Sequence, residues 1–228
     1  MAAGGTALLA VSPVLAADEV RTQSELFGFD LEADASPLSV RFFDDFIPIP
    51  VDPGEPQFEI TASYTGANLG TGPLGRAVAS SIWPGAALGD GFGTVVGDES
   101  QSYPIRAEAR YPGRGEEDWQ TQTSFEGVDG FGMYSEARGL DVAARSEGGG
   151  LPAAAAPLAS YGQVRSTSTS TVADGQAVAR GVASITDVQL LEGIITLESV
   201  ETDVRATSDG NGATTAGTTT VGAIEVLG

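Results

Sequence analysis

Apolar and polar residues alternate along several short stretches of the chain, with glycine or proline between the stretches. The alternation is clearest in residues 24–34, 57–64, 103–111 and 131–146. A period of two residues is typical of strands that bury one face. The pattern predicts an all-β chain, either an antiparallel β-sandwich or an extended meander with long C-terminal strands. Residues 75–82 would fit a helix of about two turns.

Three turn signals divide the C-terminal region into long strands. Asp174-Gly175, Glu192-Gly193 and Asp209-Gly210 recur at nearly equal spacing, each between β-branched residues. An Asp-Gly pair tolerates the positive φ of a tight hairpin turn. The serine and threonine tract at 165–171 is therefore predicted to be an ordered strand, paired along at least one edge, with polar side chains on both faces.

The hydrophobic pattern predicts that burial is uneven along this meander. Around the second turn, apolar residues between 185 and 197, including Ile194 and Ile195, occupy both faces of the strands. Strands that are apolar on both faces are covered on both sides. We therefore expect the core at this end, and a cost on the order of 3 kcal/mol for Ile194→Asp. The small polar stretches 165–171 and 212–220 are expected to be solvated or packed against similar flat surfaces.

Composition limits both the partners and the chemistry. The chain has 11 basic residues, all of them arginine, against 31 acidic residues, and its formal charge is −20. Long-range repulsion by this charge disfavours nucleic acid and anionic membranes as partners. Because histidine, lysine and cysteine are absent, a Ser-His-Asp triad, a thiol nucleophile, a Schiff base and the usual zinc or copper sites are excluded. The sequence favours a protein that is not an enzyme.

The N-terminus resembles a secretory signal. An apolar run from Ala7 to Ala16 precedes an acidic stretch, and Val14-Leu15-Ala16 fits a cleavage site before Ala17. No other apolar run approaches the roughly 18 residues that a membrane span requires. We therefore expect export, with the protein extracellular or held at the cell surface.

Changes in composition predict the organisation of the chain. An apolar segment covers residues 1–17, and a β-rich region with proline and glycine loops follows at 18–147. The meander occupies 158–228, after a Gly/Pro/Ala hinge at 148–157. The two β-rich regions can be separate or can form one domain.

Four aromatic residues are candidates for a ligand groove. Trp83, Tyr103, Tyr111 and Trp119 could line a groove for carbohydrate or peptide. Trp and Tyr in a sandwich more often fill the core, and the core interpretation is favoured here.

Neighbouring carboxylates are the remaining candidates for catalysis. Asp44 with Asp45, and Glu116, Glu117 and Asp118, could serve glycoside hydrolysis, which requires two acids at a set separation. In a chain with 31 acidic residues such neighbours arise by chance. We favour solvated turns, and we predict no catalytic residues.

Two further motifs concern metals and cofactors. Asp174 and Asp209 lie in turns and are calcium candidates, because carboxylate oxygens suit Ca²⁺. Residues 70–75, GTGPLG, match the G-x-G-x-x-G pattern of dinucleotide sites, but no long amphipathic helix follows them. We therefore expect a loop there, and no cofactor other than calcium.

Several segments together resemble a known family. The stretch YPIRAEARYPG, the junction ARSEGGG and the C-terminal meander that starts at TSTSTVADGQ are similar to secreted actinobacterial proteins of the choice-of-anchor P type. The likeness spans residues 102–228. It implies an extracellular or cell-envelope β-protein of undefined activity, commonly carried with a C-terminal anchor, and it implies no catalytic residues.

Two functions agree with these observations. The first is a structural or adhesion protein. Such a protein could be the subunit of a filament or layer, because flat strands of low charge favour pairing between chains. In that case residues 7–14, if retained, could supply a strand to a neighbouring subunit. The second is an extracellular binding module for a hydrophobic or carbohydrate ligand, with Ile194, Ile195 or the four aromatic residues at its site.

Overall fold

A computed structural model describes residues 26–43, 56, 58–113, 132–151 and 159–227. Strands make up about 69% of these residues and helices about 5%. Neither helix in this part of the chain has the length or the hydropathy that a membrane-spanning helix requires.

The described residues form twelve strands and two short helices. The strands are β1 (Asp30–Ala35), β2 (Leu38–Phe42), β3 (Phe58–Gly70), β4 (Leu74–Trp83), β5 (Ala107–Tyr111), β6 (Gly132–Arg138), β7 (Asp141–Leu151), β8 (Ala159–Ala173), β9 (Gln176–Leu190), β10 (Ile195–Ser208), β11 (Ala213–Val221) and β12 (Ile224–Val226). The helices are α1 (Ala86–Gly89) and α2 (Phe92–Val96).

The strands form two antiparallel sheets, which confirms the predicted fold class. In sheet A the order is β1-β3-β4-β5, and β2 continues the β1 edge along β3. In sheet B the order is β11-β10-β9-β8-β7-β6, and β12 continues the β11 edge along β10.

The two sheets pack face to face as a sandwich. β3 packs on β7 and β8, β4 on β6 and β7, β5 on β6, and β1 on β8 and β9. The buried cluster between them consists mainly of alanine, and its larger members are Leu69, Met133, Leu140, Val142 and Val172. Side chains this small allow the sheets to approach more closely than the roughly 10 Å usual for stacked sheets.

Serine hydroxyls on β8 bridge this narrow gap. Ser166, Ser168 and Ser170, which we call the serine row, are fully buried. Ser168 Oγ donates to the carbonyl of Thr65 at 3.1 Å, and Ser170 Oγ donates to the carbonyl of Ala67 at 2.7 Å. The tract is a strand, as predicted, and it pairs with β7 and β9 on its two edges. One of its faces is buried against sheet A.

The same arrangement recurs on β6 and β7. Ser135 Oγ donates to the carbonyl of Ala107 at 2.9 Å, and Ser146 Oγ donates to the carbonyl of Ser80 at 3.0 Å. Both serines are fully buried. Because these hydroxyls have acceptors, their burial avoids the penalty of an unpaired polar group.

The three predicted C-terminal turns lie where the sequence places them. Asp174 and Gly175 have φ of 51° and 69° and join β8 to β9. Glu192 and Gly193, at 59° and 85°, join β9 to β10, and Gly210, also at 85°, lies in the turn between β10 and β11.

Two other expectations differ from the structure. Residues 75–82 are not helical but lie in β4, where alternate residues face the sandwich interior. Gly148 to Leu151, the start of the predicted hinge, belong to β7 and pair with β8. Strands from before and after the hinge therefore share sheet B.

The prediction that the core lies around the Glu192-Gly193 turn is wrong. Leu191 is 51% exposed and Ile194 is 47% exposed, whereas Val172 and Ala177, beside the Asp174-Gly175 turn, belong to the buried cluster. The reason is the extent of sheet A, which covers β8 and the part of β9 next to the Asp174-Gly175 turn. Among the described residues, no strand of sheet A packs to a comparable extent on the hairpin around Glu192-Gly193.

Candidate functional site

Sheet B is wider than sheet A. Among the described residues, β10, β11 and β12 have no facing strand comparable to those that cover β6 to β9. We call these three strands the overhang. Its main-chain ladder is continuous with the sandwich through the long pairing of β10 with β9.

The inner face of the overhang continues the buried face of β9. Partners in an antiparallel ladder share a face, so three rows cross from β9 to β11. These rows are Ile185-Val200-Val221, Ala183-Thr202-Thr219 and Gly181-Val204-Gly217. The rows carry no charge, and Val204 and Val221 are 49% and 47% exposed. The result is a flat, uncharged surface at the side of the sandwich.

The outer face of the overhang is charged. Arg180 on β9 donates to Asp203 on β10, from Nε to Oδ1 at 2.9 Å. Hydrogen bonding to Arg180 lowers the pKa of Asp203. Glu201 and Arg205 lie on the same face, two residues to either side of Asp203. The outer face of the overhang is therefore charged, whereas the three rows on its inner face are not.

The free edge of the overhang is β11, and all nine of its residues are exposed. Gly222 N–H donates to the carbonyl of Ser199 at 2.8 Å. This bond shows which opposite residues of β10 and β11 are hydrogen-bonded to each other. Hydrogen-bonded and non-bonded pairs alternate along antiparallel strands. The main-chain groups of Thr215, Gly217 and Thr219 therefore point to the free side of β11.

β11 differs from the other edge strands among the described residues because it carries no charge. Each of the others has at least one charged side chain, which hinders pairing with another chain. These residues are Asp30, Glu32 and Asp34 on β1, Arg41 on β2, Glu108 and Arg110 on β5, Glu136 and Arg138 on β6, and Glu225 on β12.

A groove lies where sheet A ends above the overhang. Its volume is about 230 Å³, one wall is residues 34–37, and its floor is Gly181, Ala183, Ile185, Val200, Thr202 and Val204. A Cβ on Gly181 would lie 2.7 Å from the carbonyl oxygen of Asp34. Glycine at 181 is therefore required for β1 to approach β9 this closely.

Two of the predicted aromatic candidates pack within the protein. Trp83 stacks on Tyr64 with ring centroids 5.2 Å apart, and Tyr103 meets Trp83 edge-on at 6.0 Å. Trp83 is 5% exposed, and a Cβ on Gly89 would lie 2.3 Å from its ring. Burial raises the pKa of Tyr103, whose hydroxyl donates to the carbonyl of Ile82 at 2.9 Å. Helix α1 thus covers Trp83, which supports the core interpretation.

Of the remaining predicted candidates, the structure describes Tyr111, Ile194 and Ile195. Tyr111 is partly buried against the central cluster, and Trp119 lies outside the described residues. Ile194 lies in the turn before β10, and Ile195 begins β10 opposite Leu190.

Each calcium candidate lies alone in its turn. Asp174 occupies the β8–β9 turn, and Asp209 Oδ1 accepts the main-chain N–H groups of Asn211 and Gly212 at 2.9 and 3.0 Å. Those hydrogen bonds lower the pKa of Asp209. Within the described residues no group of three or more potential metal ligands occurs. Asp44, Asp45 and residues 116–118 lie outside the described part of the chain.

The GTGPLG segment is a hairpin turn. β3 ends at Gly70 and β4 begins at Leu74, and the two strands pair antiparallel up to the turn. A dinucleotide site requires a helix after the glycines, so the loop interpretation is confirmed.

Sequence reasoning missed an ionic network on the outer face of sheet A. Glu108 accepts from Arg76 Nε at 2.8 Å, from Arg106 Nη2 at 2.9 Å and from Arg110 Nη2 at 2.7 Å, and Arg106 also binds Asp90. Burial alone would raise the pKa of Glu108, but the hydrogen bond from Arg76 and the three positive charges lower it overall. The alternation of Arg106, Glu108 and Arg110 was the available signal, because such residues share one face of a strand.

Comparison of the chain with protein-family models, with curated proteins and with solved structures gave no match.

Proposed function

We propose that this protein is a non-enzymatic, secreted or cell-surface structural protein that associates with copies of itself through strand edges. The observation that carries the proposal is β11, a fully exposed edge strand of nine residues without charge or proline. Monomeric β-proteins usually protect such an edge with charges, proline, bulges or a covering segment.

The uncharged inner face of the overhang supports the same proposal. A strand added at β11 would extend sheet B, and its side chains would continue the rows that end at Val221, Thr219 and Gly217. Pairing of β11 with β11 of a second copy would give a closed dimer. Pairing of β11 with a different edge, such as β6, would be head-to-tail and would give an open filament.

A Thr215→Pro variant tests the role of β11. Thr215 directs its N–H to the free side, so proline there removes a donor for pairing between chains and leaves the β10–β11 ladder bonds in place. Thr215→Val is the matched control, because it keeps the N–H.

We expect light scattering and negative-stain imaging to show assemblies for the unchanged chain and for Thr215→Val, and monomers for Thr215→Pro at equal concentration. Closed dimers and filaments would separate the two pairing modes. A monomeric unchanged chain at all concentrations, or equal assembly by Thr215→Pro, would reject the proposal.

Export and the likeness to choice-of-anchor P proteins remain part of this proposal. The apolar run at 7–16 supports export. The alternative function, a hydrophobic or carbohydrate-binding module, has less support because Trp83 and Tyr103 pack against Gly89 and Phe92 rather than lining a groove.

A further inference from the structure

The free edge of β11 has the properties that pairing with a second copy of itself requires. Its outward main-chain groups belong to Thr215, Gly217 and Thr219, and the strand carries no charge and no proline. When two such edges lie antiparallel, outward residues meet outward residues, and each outward N–H of one copy faces a C=O of the other. Because the same strand is used on both sides, the contact has two-fold symmetry and is closed.

The other edge strands are less suitable partners for β11. β6, at the opposite edge of sheet B, has seven residues and carries Glu136 and Arg138. Glu136 accepts a hydrogen bond from the hydroxyl of Tyr134. A strand added beside β6 would exclude water from these charged groups, which is costly. Among the described residues, β11 with β11 is the one combination of edge strands in which neither strand carries a charge.

We propose that two copies of the chain pair β11 with β11, antiparallel, in the register that places Gly217 opposite Gly217 of the second copy. This inference rests on the proposed function and names the partner edge and the register. Thr215 then lies opposite Thr219 of the second copy, and Ala216 lies opposite Thr218. The two-fold axis is perpendicular to sheet B, so the uncharged inner faces of both overhangs lie on the same side.

The length of β11 favours this register. Ala213 lies opposite Val221 of the second copy, so all nine residues of the strand are paired. A shift of two residues leaves residues unpaired at both ends, and a shift of one residue places outward groups opposite groups that already bond to β10. The threonine pairs that form resemble one within the sheet, where the hydroxyls of Thr202 and Thr219 are 3.0 Å apart. Such cross-strand pairs are stabilising.

The charges on the outer face favour the same register. In the β10–β11 ladder Thr218 lies opposite Asp203, and Ala216 lies opposite Arg205. One row of the pair then contains Asp203 and Thr218 of one copy and Ala216 and Arg205 of the other. Opposite charges in this row are three strand spacings apart, about 14 Å between Cα atoms. A shift of two residues in one direction puts Arg205 in a row with Arg205, and a shift in the other direction puts Asp203 in a row with Asp203, so like charges replace opposite ones.

Cysteine crosslinking between two variants of the full chain tests the register, because the unchanged chain has no cysteine. One variant is Ala216→Cys and the other, which carries a tag that changes its mass, is Thr218→Cys. In the proposed register these two positions form a non-hydrogen-bonded pair with Cβ atoms about 4.5–5.5 Å apart, close enough for a disulfide. We expect the oxidised mixture to give the mixed dimer at least tenfold above either homodimer, by intact mass under non-reducing conditions. The matched control, Thr215→Cys mixed with Thr218→Cys, has its thiols on opposite faces and should not crosslink.

The crosslinked products distinguish the registers. A predominant mixed dimer supports the proposal. A predominant Ala216→Cys homodimer or Thr218→Cys homodimer would show one of the two shifted registers and would overturn it. Equal yields of the three dimers, or no disulfide in any mixture, would also overturn it.

Hydrogen exchange at low and high protein concentration identifies the partner edge without new cysteines. The amides of Thr215, Gly217 and Thr219 should exchange at least tenfold more slowly at the concentration where sedimentation shows dimers. The amides of Ala216 and Thr218 bond to β10 in both states and should not change. Slower exchange in β6 at the higher concentration would show pairing of β11 with β6 and would overturn the proposal.

Sedimentation of the unchanged chain separates failure of this inference from failure of the proposed function. If the chain assembles and the mixed disulfide dimer does not predominate, self-association stands and the β11–β11 register is rejected. If the chain is monomeric at every concentration, both are rejected.

Discussion

Replacement of Ser168 by valine is the most direct test of the serine row. By strand propensity alone, valine is preferred to serine, so a conventional apolar core would gain stability. Here Ser168 Oγ lies 3.1 Å from the carbonyl oxygen of Thr65 and 2.9 Å from Thr65 Oγ1. A methyl group in that place removes both hydrogen bonds, and valine adds a second methyl at a position that is already fully buried.

The expected cost follows from these contacts. Loss of two buried hydrogen bonds costs about 1 kcal/mol each, and overpacking adds roughly 1–3 kcal/mol. We expect Ser168→Val to lower the free energy of unfolding by about 3–5 kcal/mol, and Ser168→Ala by about 2 kcal/mol. For a chain of this size each kcal/mol corresponds to about 2–4 °C in Tm.

Denaturant and thermal unfolding of the purified full chain would measure these differences. Thr169→Val is the matched control, because Thr169 is the next residue on the half-buried, opposite face of β8. It should change stability by less than about 0.5 kcal/mol. If Ser168→Val is as stable as the unchanged chain, or if Thr169→Val is equally damaging, then the interior is not held by hydroxyl-to-carbonyl hydrogen bonds.

Three further predictions concern other parts of the sandwich. Gly89→Ala should lower the free energy of unfolding by about 2 kcal/mol and alter tryptophan fluorescence, because its Cβ would lie 2.3 Å from the Trp83 ring. Gly212→Ala is the control, since its Cβ would have no atom within 4 Å, and it should change neither stability nor fluorescence. Equal effects of the two variants would contradict the packing of α1 on Trp83. Glu108→Gln should cost about 2 kcal/mol near pH 7. The folded-state pKa of Glu108 is lowered from 4.5, so the stabilisation by the ionised carboxylate is present above that value and is lost as pH falls through the folded pKa. The difference in free energy of unfolding between Glu108→Gln and the unchanged chain, measured by urea titration, should therefore shrink below about pH 4. A difference that stays constant with pH would contradict the ionic role of Glu108. Ile194→Asp should cost less than about 1 kcal/mol, since Ile194 is 47% exposed, and a Tm loss above about 4 °C would restore the original core prediction.

The strand order of the C-terminal region was predictable because turn chemistry is local. Asp174-Gly175 and Glu192-Gly193 adopt positive φ in short turns, and the residues between turns have only one regular way to pair. The helix predicted at 75–82 failed because alanine and serine at helix-like spacing also suit a strand that packs against a close neighbour. Gly75 shows this constraint, since its Cβ would lie 2.9 Å from Val142 Cγ2 on the facing sheet.

The location of the core was not predictable from hydropathy. Leu191 and Ile194 are more apolar than Ser166 or Ser168, yet the serines are fully buried and the aliphatic residues are exposed. What decides burial is which part of sheet B has sheet A opposite it, and that depends on contacts between residues about one hundred positions apart, such as Thr65 with Ser168. Periodicity describes the faces of one strand and contains no information about how far the opposing sheet extends.

The distribution of large aliphatic side chains argues that the overhang is a contact surface. Two rows of such residues share a face at its distal end, Val188-Leu197-Ile224 and Leu190-Ile195-Val226. Ile224 and Val226 are 59% and 67% exposed, whereas the sandwich interior is built mainly from alanine and serine. Contiguous apolar surface on a soluble protein commonly marks an interaction site.

If strand pairing at β11 assembles the protein, these rows of aliphatic side chains should become buried in the assembly. Ile224→Ser with Val226→Ser should therefore weaken assembly at least tenfold and leave the Tm of the monomer within about 4 °C. Unchanged assembly by that variant would place the contact elsewhere on the molecule.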